Sequence, residues 1–521
     1  MDYFITPWQY SVSFPLLTPL TLVPFLSMVG VLVATSRAMM LRLAFGGALL
    51  SVVMSIVLLI VFDTDNKSLQ LYERYELFGL NYCVGVDGAN ILFLPLTCVL
   101  TLLALIYTLI TRHARDRVFI SCLLGYEGIL IGAFVALNAF QFWLWTLMEL
   151  FPLTVLTLHA GTGQRRRLVI DTFLQYWGSG LLMTLTGFML LAFGLIDAQH
   201  PLTFDWLTLK LNNAYLHDEV LIFILLFYGF AIRMPLFPFH GWLPLLAEHG
   251  TVASVSIFLV GVKLGIYAVV RFILPIVPGV AEAWTPLVLS LSVISIFYGA
   301  FMALMQINIR VLLAFSIISY TGMLVIGLFC FNDFGLEGSI LLSLAYGLAT
   351  AGMLFSVGLI YERTRTAYMP RLGGLFDTNL TIGLLFLVSV LSTMVMPGTP
   401  GFDAAHLLIE GTIEEHGWLL AIVILIGNVL AAAFLLWAFQ RIFFATPKRF
   451  QQPDSSRNHP VRAERIIAIV ICTLLIGSGF YMTPWLKYID QEAVEIRSDY
   501  PMHGPPEQPG FEDNDENNLK P

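Results

Sequence analysis

The sequence predicts an all-α polytopic membrane protein with about fourteen transmembrane helices. Three observations carry this. Of 521 residues, 58% are hydrophobic and only 12% charged, about half the charge of a soluble domain. Mean hydropathy is +0.81. The apolar residues also gather in runs of bilayer length, and the charge of the loops between them alternates in sign.

A spanning helix needs about 20 mostly apolar residues. In chain order such runs occupy 15–36, 41–62, 89–111, 117–136, 137–158, 168–194, 219–239, 251–273, 284–305, 310–330, 336–361, 375–396, 417–443 and 464–484. The first follows MDYFITPWQY, which has no basic start and no small-residue cleavage site, so it reads as a retained helix. Basic loops contain Arg37, Arg112 to Arg117, Arg165 to Arg167, Arg363 to Arg371 and Lys448 to Arg465. The intervening loops carry Asp63, Glu73, Asp218, Glu282, Asp333 and Glu414. The positive-inside rule then puts the basic loops in the cytoplasm and both termini outside, as expected in a bacterial inner membrane.

Of the net charge of −8, the stretch from Lys487 onward holds −6, with nine acids against three bases. It reads as a polar, disordered tail. Cys83, Cys98, Cys122, Cys330 and Cys472 show no metal spacing. No Walker loop or post-strand GxGxxG is present. We therefore expect no cofactor or metal bound by this chain, no catalytic chemistry of its own and no nucleic-acid partner.

The chain is organised around RMPLFPFHGWLPLLAEHGTVASVSIFLVGVK, from Arg233 to Lys263. Pro235 and Pro238 must break a membrane helix, and a break at membrane depth is tolerated only in a protein-lined or wet setting. The natural partner for its cations is Glu149, in WTLMELFP. A second break falls at VMPGTPGFDAAHLLIEG, five segments later, the spacing that two inverted five-helix repeats would give.

Ionisable groups recur across consecutive apolar segments: Glu127, Glu149, Arg233, His240, Lys263, Arg310, Asp403, His406, Glu410 and Arg441. Such a row suits a proton or cation route, each group being charged or neutralised in turn. A buried lysine can release its proton near neutral pH, whereas arginine stays protonated. Lys263 is thus the candidate carrier, and Arg233 can only bias the field at Glu149. The competing reading of Glu149 and Arg233 is a structural ion pair locking two helices. Arg441, beside a basic loop, also reads as a snorkelling anchor.

These motifs resemble the antiporter-like subunits of respiratory complex I, NADH–quinone oxidoreductase, and most of all its subunit M branch, a family shared with cation/proton antiporter complexes. The resemblance rests on PFHGWLP, KLGIYAVVRF, FWLWTLMELFP, GVDGANILF, LLAFSIISYTGM, LGGLF, MPGTPGF and LLWAFQRIFF, and runs from about 85 to 445. It implies fourteen helices, inverted five-helix repeats and a polar axis in the membrane plane. It also implies that Glu149 pairs with the cation at 233 and that protons pass through Lys263. Departures accompany it. Arg233 stands where lysine is usual, Asn308 where an acid is usual, Tyr320 and Tyr346 where histidines are usual, and Ala405 where a glutamate or lysine is usual.

The domain organisation read from this is 1–84, N-terminal helices and outward loop; 85–273 and 274–445, the two repeats; 446–486, basic loop and last helix; and 487–521, the tail. The leading functional expectation is a proton-translocating membrane subunit of a complex I-like assembly, with other membrane subunits as partners. One alternative is the energy-coupling subunit of an inorganic carbon uptake complex with a large cytoplasmic zinc protein resembling carbonic anhydrase. Another is an Mrp-type cation/proton antiporter subunit.

Overall fold

The computed structural model describes residues 15–66, 69–77, 80–111, 116–161, 165–194, 202–212, 218–250, 261–446 and 462–500. Among these residues, ten helices are long and apolar enough to cross a membrane, and Leu17–Val33 and Leu380–Thr393 are shorter apolar helices. The first ten residues of the eighth expected segment, 251–260, lie outside the described set, as do the basic loop 447–461 and the tail beyond Tyr500.

Helix starts carry the residues that local chemistry predicts. Ser36, Asp116, Asn138 and Asn332 each accept a hydrogen bond from a backbone N–H in the first turn that follows. These side chains satisfy donors that a helix leaves orphaned.

Both expected breaks are present. Helix Glu219–Arg233 stops, residues 234–241 turn, and Trp242–His249 resumes. The freed backbone groups are satisfied internally: Trp242 Nε1 donates to the Ile232 carbonyl at 2.9 Å, and Phe237 N to Ser295 Oγ at 2.7 Å. Helix Leu380–Thr393 stops likewise, and Pro400–His416 follows. There Asn428 Nδ2 donates to the Met394 carbonyl at 3.3 Å and Thr399 Oγ1 to Met396 at 2.7 Å. Gly398, at φ +85°, makes the reversal in a conformation that a Cβ would strain. Two π-helical turns, Val269–Ile273 and Gln440–Phe444, recur at the same five-segment spacing as the breaks.

A third interruption was not legible in the apolar run 137–158. Ala139–Met148 ends at Glu149 and Leu150–Ala160 starts from it. Pro152 has no N–H to donate one turn back, which weakens the ladder at that point.

One end of the bundle departs from all-α. Strands β1 (Gln70–Leu77) and β2 (Leu80–Val86) form an antiparallel hairpin. Glu73, 1% exposed, accepts from Leu17 N at 2.8 Å and Thr18 N at 3.1 Å, and so caps the first helix. At the same end Asp87 and Arg271 form a buried ion pair, and the Arg271 guanidinium lies 4.7 Å from the Trp206 ring.

The expectation of a disordered tail from Lys487 is corrected in part. After Arg462–Phe480, helix Thr483–Ser498 folds back across the hairpin end, burying Ile489, Ala493 and Ile496. Acid content masked this apolar stripe of helical spacing. Lys210 bridges Glu495 at 2.9 Å and Asp499 at 3.3 Å, and Arg497 pairs with Asp333. Tyr488 donates to the Leu59 carbonyl at 3.0 Å and Tyr500 to that of Leu274 at 2.8 Å. The helix therefore ties segments from both halves of the chain.

This docking is expected to depend on pH. Burial raises the proton affinity of Glu492, aided by nearby Asp87 and opposed by Arg271; burial does the same at Asp490 and Asp499. Carboxyls raised in the docked state stabilise it fully below their ordinary range near ~4, and that contribution is lost as pH rises through the raised values. Hydrogen exchange over 483–500 between pH 4 and pH 8 should report protection that falls with rising pH. Protection rising with pH would mean that the Lys210 pairs dominate instead.

Candidate functional site

The centre of the site is Glu149, fully buried at the interruption between Ala139–Met148 and Leu150–Ala160. Arg233, the last residue before the first break, pairs with Glu149 Oε2. Tyr126 donates from its hydroxyl to Glu149 Oε1 at 2.6 Å. Arg233 Nε donates to the Gly261 carbonyl at 3.2 Å, and its guanidinium lies 4.8 Å from the Trp177 ring. Both charges are thus paired and hydrogen-bonded, as a buried ion pair requires.

Gly261 is the closest packing point. A Cβ built there would lie 2.4 Å from Glu149 Oε1 and 2.5 Å from the Tyr126 hydroxyl. Gly261→Ala is therefore expected to push these groups apart and reduce transport, while Gly279→Ala, with open space around it, should change nothing. Proton flux through the assembled complex, with complex yield as the control, checks this.

Lys263 follows two residues later. Two positions along an α-helix rotate a side chain by about 200°, so Lys263 leaves the segment on the side opposite Gly261. Its ammonium, in a residue 5% exposed, lies 6.0 Å from the Tyr346 ring. Tyr346 stacks on Tyr320 with centroids 4.6 Å apart. Glu149 and Lys263 are therefore not a contact pair: the segment that carries Gly261 stands between them. Tyr346, a departure position, faces the lysine, and Tyr320, another, stacks against Tyr346.

The remaining candidates fall elsewhere. Glu127 is fully buried, and its carboxyl lies beside Ser51 and Cys98 rather than Glu149. Its helix directs Tyr126, one residue earlier, to Glu149 instead. His240 packs in an aromatic cage, 4.8 Å from the Tyr298 ring and 5.7 Å from Phe237. Arg310 is buried at a helix start, 4.3 Å from the Tyr361 ring. Arg441 is exposed and lies 5.3 Å from Trp437, the placement of a snorkelling anchor.

Asp403 and His406 lie off the buried axis: Asp403 is half-buried, and the His406 side chain is 73% exposed on the outer face of Pro400–His416. The helix buries Ala404, Ala405 and Leu408 instead, since small residues permit the close approach to Asp333–Thr364. Reasoning from the sequence also missed Tyr126, Trp177 and Gly261. Tyr126, a polar aromatic in an apolar run, was the one signal available; nothing local marked Gly261.

Broken helices that meet at a buried, fully bonded acid–base pair, with a further buried lysine beside it, define a polytopic membrane protein of the antiporter-like class. The chain belongs to the NADH:quinone oxidoreductase/Mrp antiporter family, whose transmembrane region matches residues 136–431. It is 30% identical over 401 residues to NADH-quinone oxidoreductase subunit M of Rickettsia typhi, covering 76% of this chain and 80% of that one. The Rhodobacter capsulatus subunit M is 30% identical over 450 residues, 83% of this chain and 86% of its own. In fold, the chain matches one from respiratory complex I of Thermus thermophilus with a TM-score of 0.82 at 24% identity, over 93% of this chain and 99% of that one. It matches one from the Mrp complex of a Dietzia species at 0.83 and 19%, over 93% and 98%.

Proposed function

We propose that this chain is the proton-translocating membrane subunit of a complex I-like assembly, coupling proton movement to work done on partner subunits. The observation that carries the reading is the buried Glu149–Arg233 pair at two helix interruptions, joined through Gly261 to the segment of Lys263. An ion pair moving between contact and a few ångströms apart in a dry interior changes its energy by several kcal/mol, to order of magnitude. Displacing Glu149 or Arg233 shifts the Gly261 backbone and the field at Lys263 together. The lysine then loads or unloads its proton, while Arg233 stays charged throughout.

The kinship with subunit M supports the complex I-like partner set over the alternatives. On this reading the electron-transfer centres lie on partner subunits and this chain binds no cofactor. The basic loops face the cytoplasm of a bacterial cell and both chain ends face outward. The Mrp-like fold keeps a cation/proton antiporter role as the second reading. Arginine at 233 and tyrosines at 320 and 346 keep the carbon-uptake role, with its zinc-protein partner, as a third.

A pull-down of this chain from its native membrane in mild detergent tests the assignment. Quinone-reductase or hydrogenase subunits are the expected companions. A set of small antiporter subunits, or a single large zinc-containing protein, would overturn it in favour of the second or third reading respectively.

A further inference from the structure

We propose that the outer face of Pro400–His416 docks a transmembrane helix of a neighbouring membrane subunit, one that carries lysine or arginine at matching depth. Asp403, His406, Glu410 and Glu414 fall on a stripe about 80° wide at 100° per residue. His406, Glu410 and Glu414 are exposed and Asp403 is half-buried. Among the described residues, their one ion pair is His406–Glu410 at 3.8 Å.

The stripe reaches deep. His416, near the helix end, meets the Phe329 carbonyl at 2.8 Å. Asp403 lies thirteen residues further in, about 20 Å at 1.5 Å per residue, in a hydrocarbon core about 30 Å thick. The surfaces on either side are apolar: Leu419 is 82% exposed and Ile422 49% on one neighbouring helix, Phe480 78% and Ile469 63% on the other. A stripe of acids between such surfaces is costly against lipid and is ordinarily met by protein partners or water.

Rotation of the helix cannot relieve that cost. A Cβ at Gly338 would lie 2.5 Å from Leu408 N, and one at Gly411 would lie 2.4 Å from Gly335 N, so this helix touches Asp333–Thr364 backbone to backbone. The stripe is held outward. With three carboxyls and one imidazole on it, charge complementarity selects a basic partner helix rather than an apolar one or a second copy of the same face.

The inference rests on this chain's assembly with other membrane subunits and not on the proton route. A photo-crosslinking residue is placed at 406, and at 425 as an apolar-face control, in the native assembly. Position 406 is expected to capture a transmembrane peptide of a co-purifying subunit with lysine or arginine within one helical turn. The variant D403N/E410Q/E414Q should retain that subunit about tenfold less well in detergent, a loss equivalent to about 1.4 kcal/mol. Capture of lipid alone, of a second copy, or of a water-soluble protein would overturn the proposal, as would undiminished retention in the variant. Partners still co-purifying while 406 captures lipid alone would sink this inference and leave the assigned function standing.

Discussion

Glu149→Gln is expected to cut coupled proton transport by about tenfold or more, the change produced by losing ~1.4 kcal/mol or more of coupling. The substitution keeps the shape of the side chain and its bond from Tyr126, and removes only the charge that Arg233 faces. It also leaves a buried guanidinium without its counter-ion, and breaking a buried pair this way costs about 3–5 kcal/mol of stability. The double variant E149Q/R233M separates the two consequences. With both charges gone the helices should regain most of their stability, since a buried pair and a packed apolar replacement are often close in energy. Transport should stay lost. If the double variant transports as well as the parent, the pair is a structural lock and the coupling scheme is wrong.

Lys263→Arg is the second large effect, and it tests the carrier itself. Arginine preserves the charge and can still lie against the Tyr346 ring. It cannot release its proton under working conditions. A loss of flux of about tenfold or more, matched by Lys263→Met, assigns proton transfer to the lysine. Flux retained in the arginine variant but lost in the methionine variant would reduce Lys263 to a fixed charge. Neither result depends on assembly, which is checked in parallel by subunit retention.

Much of the architecture was legible from local properties alone. Apolar runs of bilayer length gave the crossings, and Pro and Gly within them gave both breaks. Glu149 and Arg233 could be paired before any coordinates because two opposite charges in apolar segments need each other. The hairpin was not read, since its alternation is short and lies in a charged loop. The helix Thr483–Ser498 was hidden by its own acids, which lower its apparent apolarity without disturbing the spacing of Ile489, Ala493 and Ile496.

Local properties of the chain thus set where most of the apolar helices lie, where two of them break, and that the protein lives in a membrane. Each of these depends on neighbours in the chain. Which side of each helix faces inward was decided only by the tertiary structure. Tyr126 rather than Glu127 meets Glu149, Gly261 brings its backbone to the pair, and His406 points outward. One residue along a helix turns a side chain by about 100°, and the rotation that is chosen depends on where glycines and alanines let distant helices touch.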